Sequence, residues 1–182
     1  MRFPLLVALL PVAGLAACVF VHATDQSEGK HHATHGGEKA TAKIESRSSS
    51  TLTGLATFTE VEGGVLVEIE VHHAPPGWHA VHVHEKGDCS ADDASSAGGH
   101  FNPGAKNHGS PHAMDHHAGD LGSMTVDEHG DGRHVILVHD LTVQAGPNSV
   151  RERAIIIHAN IDDLATQPTG NAGGRIGCGV IR

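Results

Sequence analysis

A chain of 182 residues has room for one domain plus short extras, and it carries a formal charge of −9 (12 Lys and Arg against 21 Asp and Glu). An acidic chain with no basic stripe is a poor partner for nucleic acid. Eighteen histidines, 23 glycines, eight prolines and no tyrosine leave a core to be built from Val, Ile and Leu, in short strands and turns rather than long helices.

Residues 1–23 read as an export signal. Arg2 is a minimal positive start, and Leu5 to Val21 is apolar. Three endings stand open. Leu15-Ala16-Ala17-Cys18 resembles a lipobox, whose cysteine becomes the lipidated first residue. Val21-His22-Ala23 suits an ordinary signal peptidase. An uncleaved anchor is the third. The expected location is outside the cytoplasm: the periplasm, or a membrane reached only through a lipid on Cys18. Cysteine arithmetic favours the lipid, because Cys89 and Cys178 can pair in an exported protein and leave Cys18 over. Such a pair would close a very long loop, worth ~4–5 kcal/mol at most in the chain-entropy account.

Residues 24–39 form a polar tether that cannot bury enough surface to order itself. It contains His31-His32-Ala33-Thr34-His35, a tract able to pick up metal or simply a solvated linker. The folded domain is expected over 40–182. Ala40–Arg47 suits a first strand. Residues 52–59 alternate loosely, and Glu62-Gly63-Gly64 makes a turn. Val65, Val67, Ile69 and Val71 then share one face of a clean strand. Trp78–Glu85 follows Pro75-Pro76-Gly77. Residues 86–119 show no strand pattern, and a loop this long inside a compact domain is usually functional. Strands resume at Leu121–Val126, His134–His139 and Arg153–His158. A second long loop covers 159–174, and Arg175–Ile181 closes the chain. About eight short strands, no helix and two long loops describe an all-β antiparallel sandwich or barrel.

The histidines carry the chemistry. His82 and His84 lie two apart on a strand, so they project from one face while Val81 and Val83 face the other. His158, ending another apolar strand, is a natural third imidazole. The long loop supplies His100, His108, His117 and Asp120, spaced by eight, nine and three. Three imidazoles and a carboxylate make a closed four-ligand set of the kind a structural zinc requires. Imidazole-rich sites without thiolate also suit copper. If one imidazole were shared, two metals could sit side by side. His72, His73, His79, His112, His116, His129, His134 and His139 read as ordinary histidines outside any site, His116 being the riskiest because it adjoins His117.

At this point the chain resembles the copper-zinc superoxide dismutases. The matching segments are residues 82–89 (HVHEKGDC), 97–103 (AGGHFNP), 117–122 (HAGDLG) and 170–181 (GNAGGRIGCGVI). The likeness covers roughly residues 40–182. It implies a Greek-key β-sandwich. It implies copper on His82, His84, His100 and His158, and zinc on His100, His108, His117 and Asp120, with His100 shared. Asp162 would be the carboxylate linking His82 to His108, an outer partner that fixes ring orientation. Arg175 would dock the superoxide anion, and Cys89 and Cys178 would form the disulfide. The implied activity is dismutation of superoxide, with Lys86, Lys106, Arg151 and Arg153 as weaker candidates for steering the substrate. A metal buffer using the same sites is the alternative, and Arg175 argues against it, because storage needs no anion-docking cation. A homodimer is expected, with a monomer as the alternative, and the chain's ending soon after Cys178 leaves the dimer geometry open.

Overall fold

The computed structural model describes residues 37–182. The expected export signal, Cys18 and the His31–His35 tract lie outside the described residues. Eight strands follow in order: β1 (Lys39–Ser46), β2 (Thr53–Val61), β3 (Gly64–His72), β4 (Gly77–His84), β5 (Asp120–Val126), β6 (Gly132–Val138), β7 (Ala154–His158) and β8 (Arg175–Val180). Among the described residues the one helical element is a single 3-10 turn, Ser95–Ala97. All strand pairs are antiparallel, and the sheet closes in the order β1-β2-β3-β6-β5-β4-β7-β8. β3 therefore lies beside β6, and β4 sits between β5 and β7, the exchange of neighbours expected of a Greek key. Closure is uneven: β5 and β6 meet only at Val126↔Gly132, and β1 and β8 at Glu45↔Cys178 and Ser46↔Gly177.

Alternation drives the core. Val65, Val67, Ile69 and Val71 of β3 are fully buried, as their spacing predicts, while Glu68 and Glu70 stay on the outer face with Arg133. Each such aliphatic side chain contributes ~1.5–3 kcal/mol on burial. β4 and β7 depart from simple alternation, because their last residues are buried on both faces. Val81, Val83, Ile155 and Ile157 join the barrel core. On the other face, Ile156 and Ala154 pack with Ala94, Ala97 and Cys178 beneath the long 86–119 loop. The loop is fastened there by the Cys89–Cys178 disulfide, which spans 89 positions with Cα atoms 5.9 Å apart.

Two bulges sit at the rim beside that loop. β4 and β5 stay in register to Ala80↔Ser123, and then His82 faces Asp120, so β5 carries one extra residue. Gly122 takes up the irregularity at φ 76°, a left-handed conformation that favours glycine. Likewise Ile157 faces Gly177 but His158 faces Arg175, an extra residue in β8. A lone bridge joins His84 to His100. Register alone therefore pairs His82 with Asp120, His84 with His100 and His158 with Arg175.

Candidate metal centre

Four buried imidazoles from three parts of the chain converge: His82 and His84 from β4, His158 from the end of β7 and His100 from the loop, with ligand atoms within 4.8 Å of one another. In each ring one nitrogen is spoken for. His82 Nε2 donates to Asp162 Oδ2 at 2.7 Å. His84 Nδ1 donates to the Gly98 carbonyl at 2.9 Å, and His158 Nδ1 faces the Gly173 carbonyl at 3.4 Å. His100 Nδ1 lies 3.0 Å from Asp120 Oδ1. The nitrogens left over are His82 Nδ1, His84 Nε2, His100 Nε2 and His158 Nε2, and all four are buried without a hydrogen-bond partner. A carbonyl only accepts, so the proton sits on the nitrogen facing it and the lone pair on the other. Orphaned buried polar atoms cost ~1–3 kcal/mol each. Four lone pairs gathered in one place could hold a copper or zinc ion.

The second cluster shares His100. His100 Nδ1, His108 Nδ1 and His117 Nδ1 lie 3.0, 3.0 and 3.3 Å from Asp120 Oδ1, and His117 Nδ1 lies 3.3 Å from His100 Nδ1. A tetrahedral ion with bonds of 2.0–2.1 Å needs its donor atoms ~3.3 Å apart. The His108 contact is close yet not aligned as a hydrogen bond, since His108 Nδ1 remains without such a partner. That is the geometry of donors facing a common centre. Proximity also groups His82 with His100, His108 and Asp120, but His82 Nε2 is taken by Asp162, which leaves it to the first cluster.

Asp162, on the second long loop, ties the two clusters. Its Oδ2 accepts from His82, and its Oδ1 accepts from His108 Nε2 at 2.9 Å and from the Leu164 N–H at 2.8 Å. Gly170 leaves room for it: a Cβ there would lie 2.0 Å from Asp162 Oδ1, and φ is +64°. Asp120 Oδ2 is held by the Gly109 and His117 N–H groups at 3.1 and 2.9 Å, which turns Oδ1 toward the three rings.

Electrostatics prepare the ligands. Burial pushes His82 down to about 4, ahead of the opposing bond to Asp162. Burial also lowers His84 and His158 well below the usual imidazole range, with neighbouring His100 and His82, respectively, adding to it. These rings are neutral near pH 7, the form that binds metal. His108 goes the other way. Burial opposes its charge, but Asp120 and Asp162 on either side outweigh that and raise it to about 9. Asp120 and Asp162 are held far below the carboxylate range, since hydrogen bonds from the histidines outweigh burial.

Arg175 stands beside the first cluster. Its Nη1 donates to the Ala94 carbonyl at 2.6 Å and its Nη2 to the Gly98 carbonyl at 2.7 Å. Gly98 thus accepts from both Arg175 and His84. Burial lowers the guanidinium from its usual value, countered by Asp93. The other steering candidates differ. Lys106 pairs with Asp140 at 3.0 Å, Arg151 donates to the Val143 and Lys39 carbonyls, and Arg153 bonds the Glu85 carbonyl with its guanidinium carbon 4.3 Å from the centre of the Phe101 ring. These three are engaged in holding structure, and Lys86 is exposed.

Two histidines differ from a surface role without joining a cluster. His116 is buried with Nδ1 2.7 Å from the His117 carbonyl. His79 is buried with its ring nitrogens 2.8 Å from the His158 carbonyl and 2.7 Å from the Pro75 carbonyl. Sequence reasoning missed His79, and also Gln167, whose amide clamps the His108 backbone at both N–H and carbonyl, each at 2.8 Å. No local pattern marks either one, because each partner is more than 50 positions away or is a backbone atom.

Comparison with known proteins agrees with the geometry. The family model described as copper/zinc superoxide dismutase matches residues 52–181. A superoxide dismutase [Cu-Zn] from Deinococcus radiodurans is 44% identical over 142 residues, covering 72% of this chain and 78% of that protein. Among solved structures, the clock protein EA4 superposes with a TM-score of 0.72 at 39% identity, over 83% of this chain and 98% of that one. A double mutant of a SOD-like protein from Bacillus subtilis gives 0.70 at 34% identity, over 76% and 94%.

Proposed function

The chain belongs to the copper/zinc superoxide dismutase family, an oxidoreductase family with copper and zinc as cofactors, and from that premise we propose how its own residues carry the reaction. Two superoxide anions and two protons become dioxygen and hydrogen peroxide. His82 Nδ1, His84 Nε2, His100 Nε2 and His158 Nε2 form the copper set. His100 Nδ1, His108 Nδ1, His117 Nδ1 and Asp120 Oδ1 form the zinc set. The observation that carries this division is the row of partnerless nitrogens, one from each ring of the first set, all buried in one place. Copper when bound supplies the one-electron exchange with superoxide, and zinc supplies fixed charge and shape.

The protein's part is orientation, charge and proton handling. Hydrogen bonds from His84 to Gly98, from His158 toward Gly173 and from His82 to Asp162 fix which nitrogen of each ring is free. His100 has one nitrogen on each set, so Nε2 can take up a proton in one half of the cycle and return it in the other. Arg175 presents a guanidinium beside the first set, so an anion is drawn there although the chain as a whole carries −9.

The setting we propose is extracytoplasmic, with the chain held either free or by a lipid on Cys18. The apolar N-terminal run and the leftover cysteine support this. Mass spectrometry of the mature N-terminus tests it, and an unmodified terminus at Thr24 would end the lipid reading.

The central test is activity and metal content per chain together. His158→Ala should abolish dismutation while leaving zinc in place, and full activity in that variant would remove the copper assignment. Arg175→Ala should lower kcat/KM about tenfold or more and flatten its dependence on salt. Both metals bound without turnover in the native chain would leave storage as the function.

A further inference from the structure

The segment between β1 and β2 grips two parts of the site at once. The Arg47 side chain donates from Nε (3.1 Å) and Nη2 (2.7 Å) to the carbonyl of Cys89. The Ser48 N–H donates to the Asp92 carbonyl at 2.9 Å. Those are the disulfide loop. On the other side, the Arg47 N–H bonds the Ile176 carbonyl at 3.0 Å, the Ser48 hydroxyl bonds the carbonyl of Arg175 itself at 2.9 Å, and the Ser50 hydroxyl bonds Ile176 at 2.5 Å. Those are the start of β8. Ser48 and Ser49 both hold positive φ, 51° and 62°. With the Ser50 N–H donating to the Arg47 carbonyl at 2.9 Å, this pair makes a tight primed turn of the kind that joins paired strands, and the turn presents Arg47, Ser48 and Ser50 to both partners at once.

We propose that the Arg47–Ser50 turn is a second, noncovalent clasp across the gap bridged by Cys89–Cys178, and that Arg47 is a positioning residue for the Arg175 guanidinium. The inference rests on Arg175 as the anion-docking group. The guanidinium is aimed by the Ala94 and Gly98 carbonyls, which lie just beyond Cys89 on the same loop. Where that loop stands relative to β8 therefore sets where the cation points. The disulfide fixes this distance covalently. The guanidinium of Arg47 fixes it again through two charge-assisted bonds to one carbonyl, stronger than neutral ones. Because the second tie holds no sulfur, reduction of the first leaves it intact. The clasp keeps the substrate cation aimed when the disulfide is open.

The test uses metal-loaded full-length protein in four forms: native, Arg47→Gln, Cys89→Ser with Cys178→Ser, and the triple variant. Two readouts are taken at equal metal content, kcat/KM and the affinity for azide as a small anionic probe. Arg47→Gln should cost about twofold with the disulfide present and about tenfold without it, in both readouts, because two ties across one gap couple rather than add. The same factor in both backgrounds overturns the clasp. So does a fall in activity with azide affinity unchanged, which would be general loosening. If the triple variant takes up no metal, Ser48→Ala in the disulfide-free chain replaces it. The same excess loss is expected there, and its absence overturns the proposal. Arg175→Ala separates the failures. Unchanged azide affinity in that variant removes the anion-docking reading, whereas a loss there without Arg47 coupling removes only the clasp.

Discussion

Asp162→Asn is the substitution in which shape and chemistry part most sharply. The native carboxylate accepts from His82 Nε2 at 2.7 Å and His108 Nε2 at 2.9 Å, and all three side chains are fully buried. An amide keeps the volume but has one acceptor oxygen and one donor NH2. Whichever way it settles, one imidazole N–H meets another donor. That ring must rotate, or move its proton to the nitrogen that faces the metal set, and either way its lone pair leaves the site. Loss of such an outer partner weakens metal affinity ~10–100-fold, equivalent to ~1.4–2.7 kcal/mol. The other ring keeps its bond to the amide oxygen, so the loss should fall on one metal more than the other. Chelator competition on the loaded variant measures both affinities, and metal analysis after dialysis should fall from two ions per chain toward one. Two ions retained at affinities within about threefold of native would refute the argument.

Three further outcomes follow. Metal-free protein should lose stability as pH falls from about 6.5 to 4, because the unfolded chain binds a proton on His82 that the native state, with its value near 4, refuses. That gap corresponds to ~3 kcal/mol. His108 acts with the opposite sign, contributing fully below about 6.5 and ceasing to contribute as pH rises through about 9. Urea unfolding of metal-free protein across this range should therefore give a maximum near neutral pH, and a monotonic rise into alkali would contradict the His108 assignment. Replacing Cys89 and Cys178 by Ser should lower unfolding free energy by ~4–5 kcal/mol at most, from the 89-residue span, and denaturant midpoints measure it. His79→Ala removes the imidazole wedged between the Pro75 and His158 carbonyls, whose one N–H serves one of them, and should cost ~1–3 kcal/mol for the carbonyl left dry. A melting temperature within a degree of native would show that water replaces the ring.

Much of this was legible in the sequence because it obeys short periods. The alternation of Val65, Val67, Ile69 and Val71 announced β3 and its buried face, and the apolar run at residues 154–157 announced β7. His82 and His84, two apart on a strand, had to share a face. His100, His108, His117 and Asp120 stood out as a four-ligand loop. Other features depend on neighbours that no local pattern names. The facing of His158 and Arg175 needs the bulge in β8. The role of His79 needs the carbonyl of a residue 79 positions away. Arg47 looks like one more surface cation until the chain brings Cys89 beneath it. The spacing of β4 puts His82 and His84 on one face and Val81 and Val83 on the other, but it does not show that both faces are buried, since that depends on a loop with no strand pattern folding back over the histidines.

The two rim bulges also make the barrel a counting device. Along a strand, side chains change sides at every step, so the total number of residues between two ligands decides whether they meet. Gly122 and Ile176 each add one to that count. Deleting either would leave the strands able to pair, yet would carry Asp120 away from His82 or Arg175 away from His158. Length changes in this lineage should therefore be confined to the loops, with those two strand positions never lost singly. A shortened chain could still make a stable barrel, but one whose reactive groups face opposite directions.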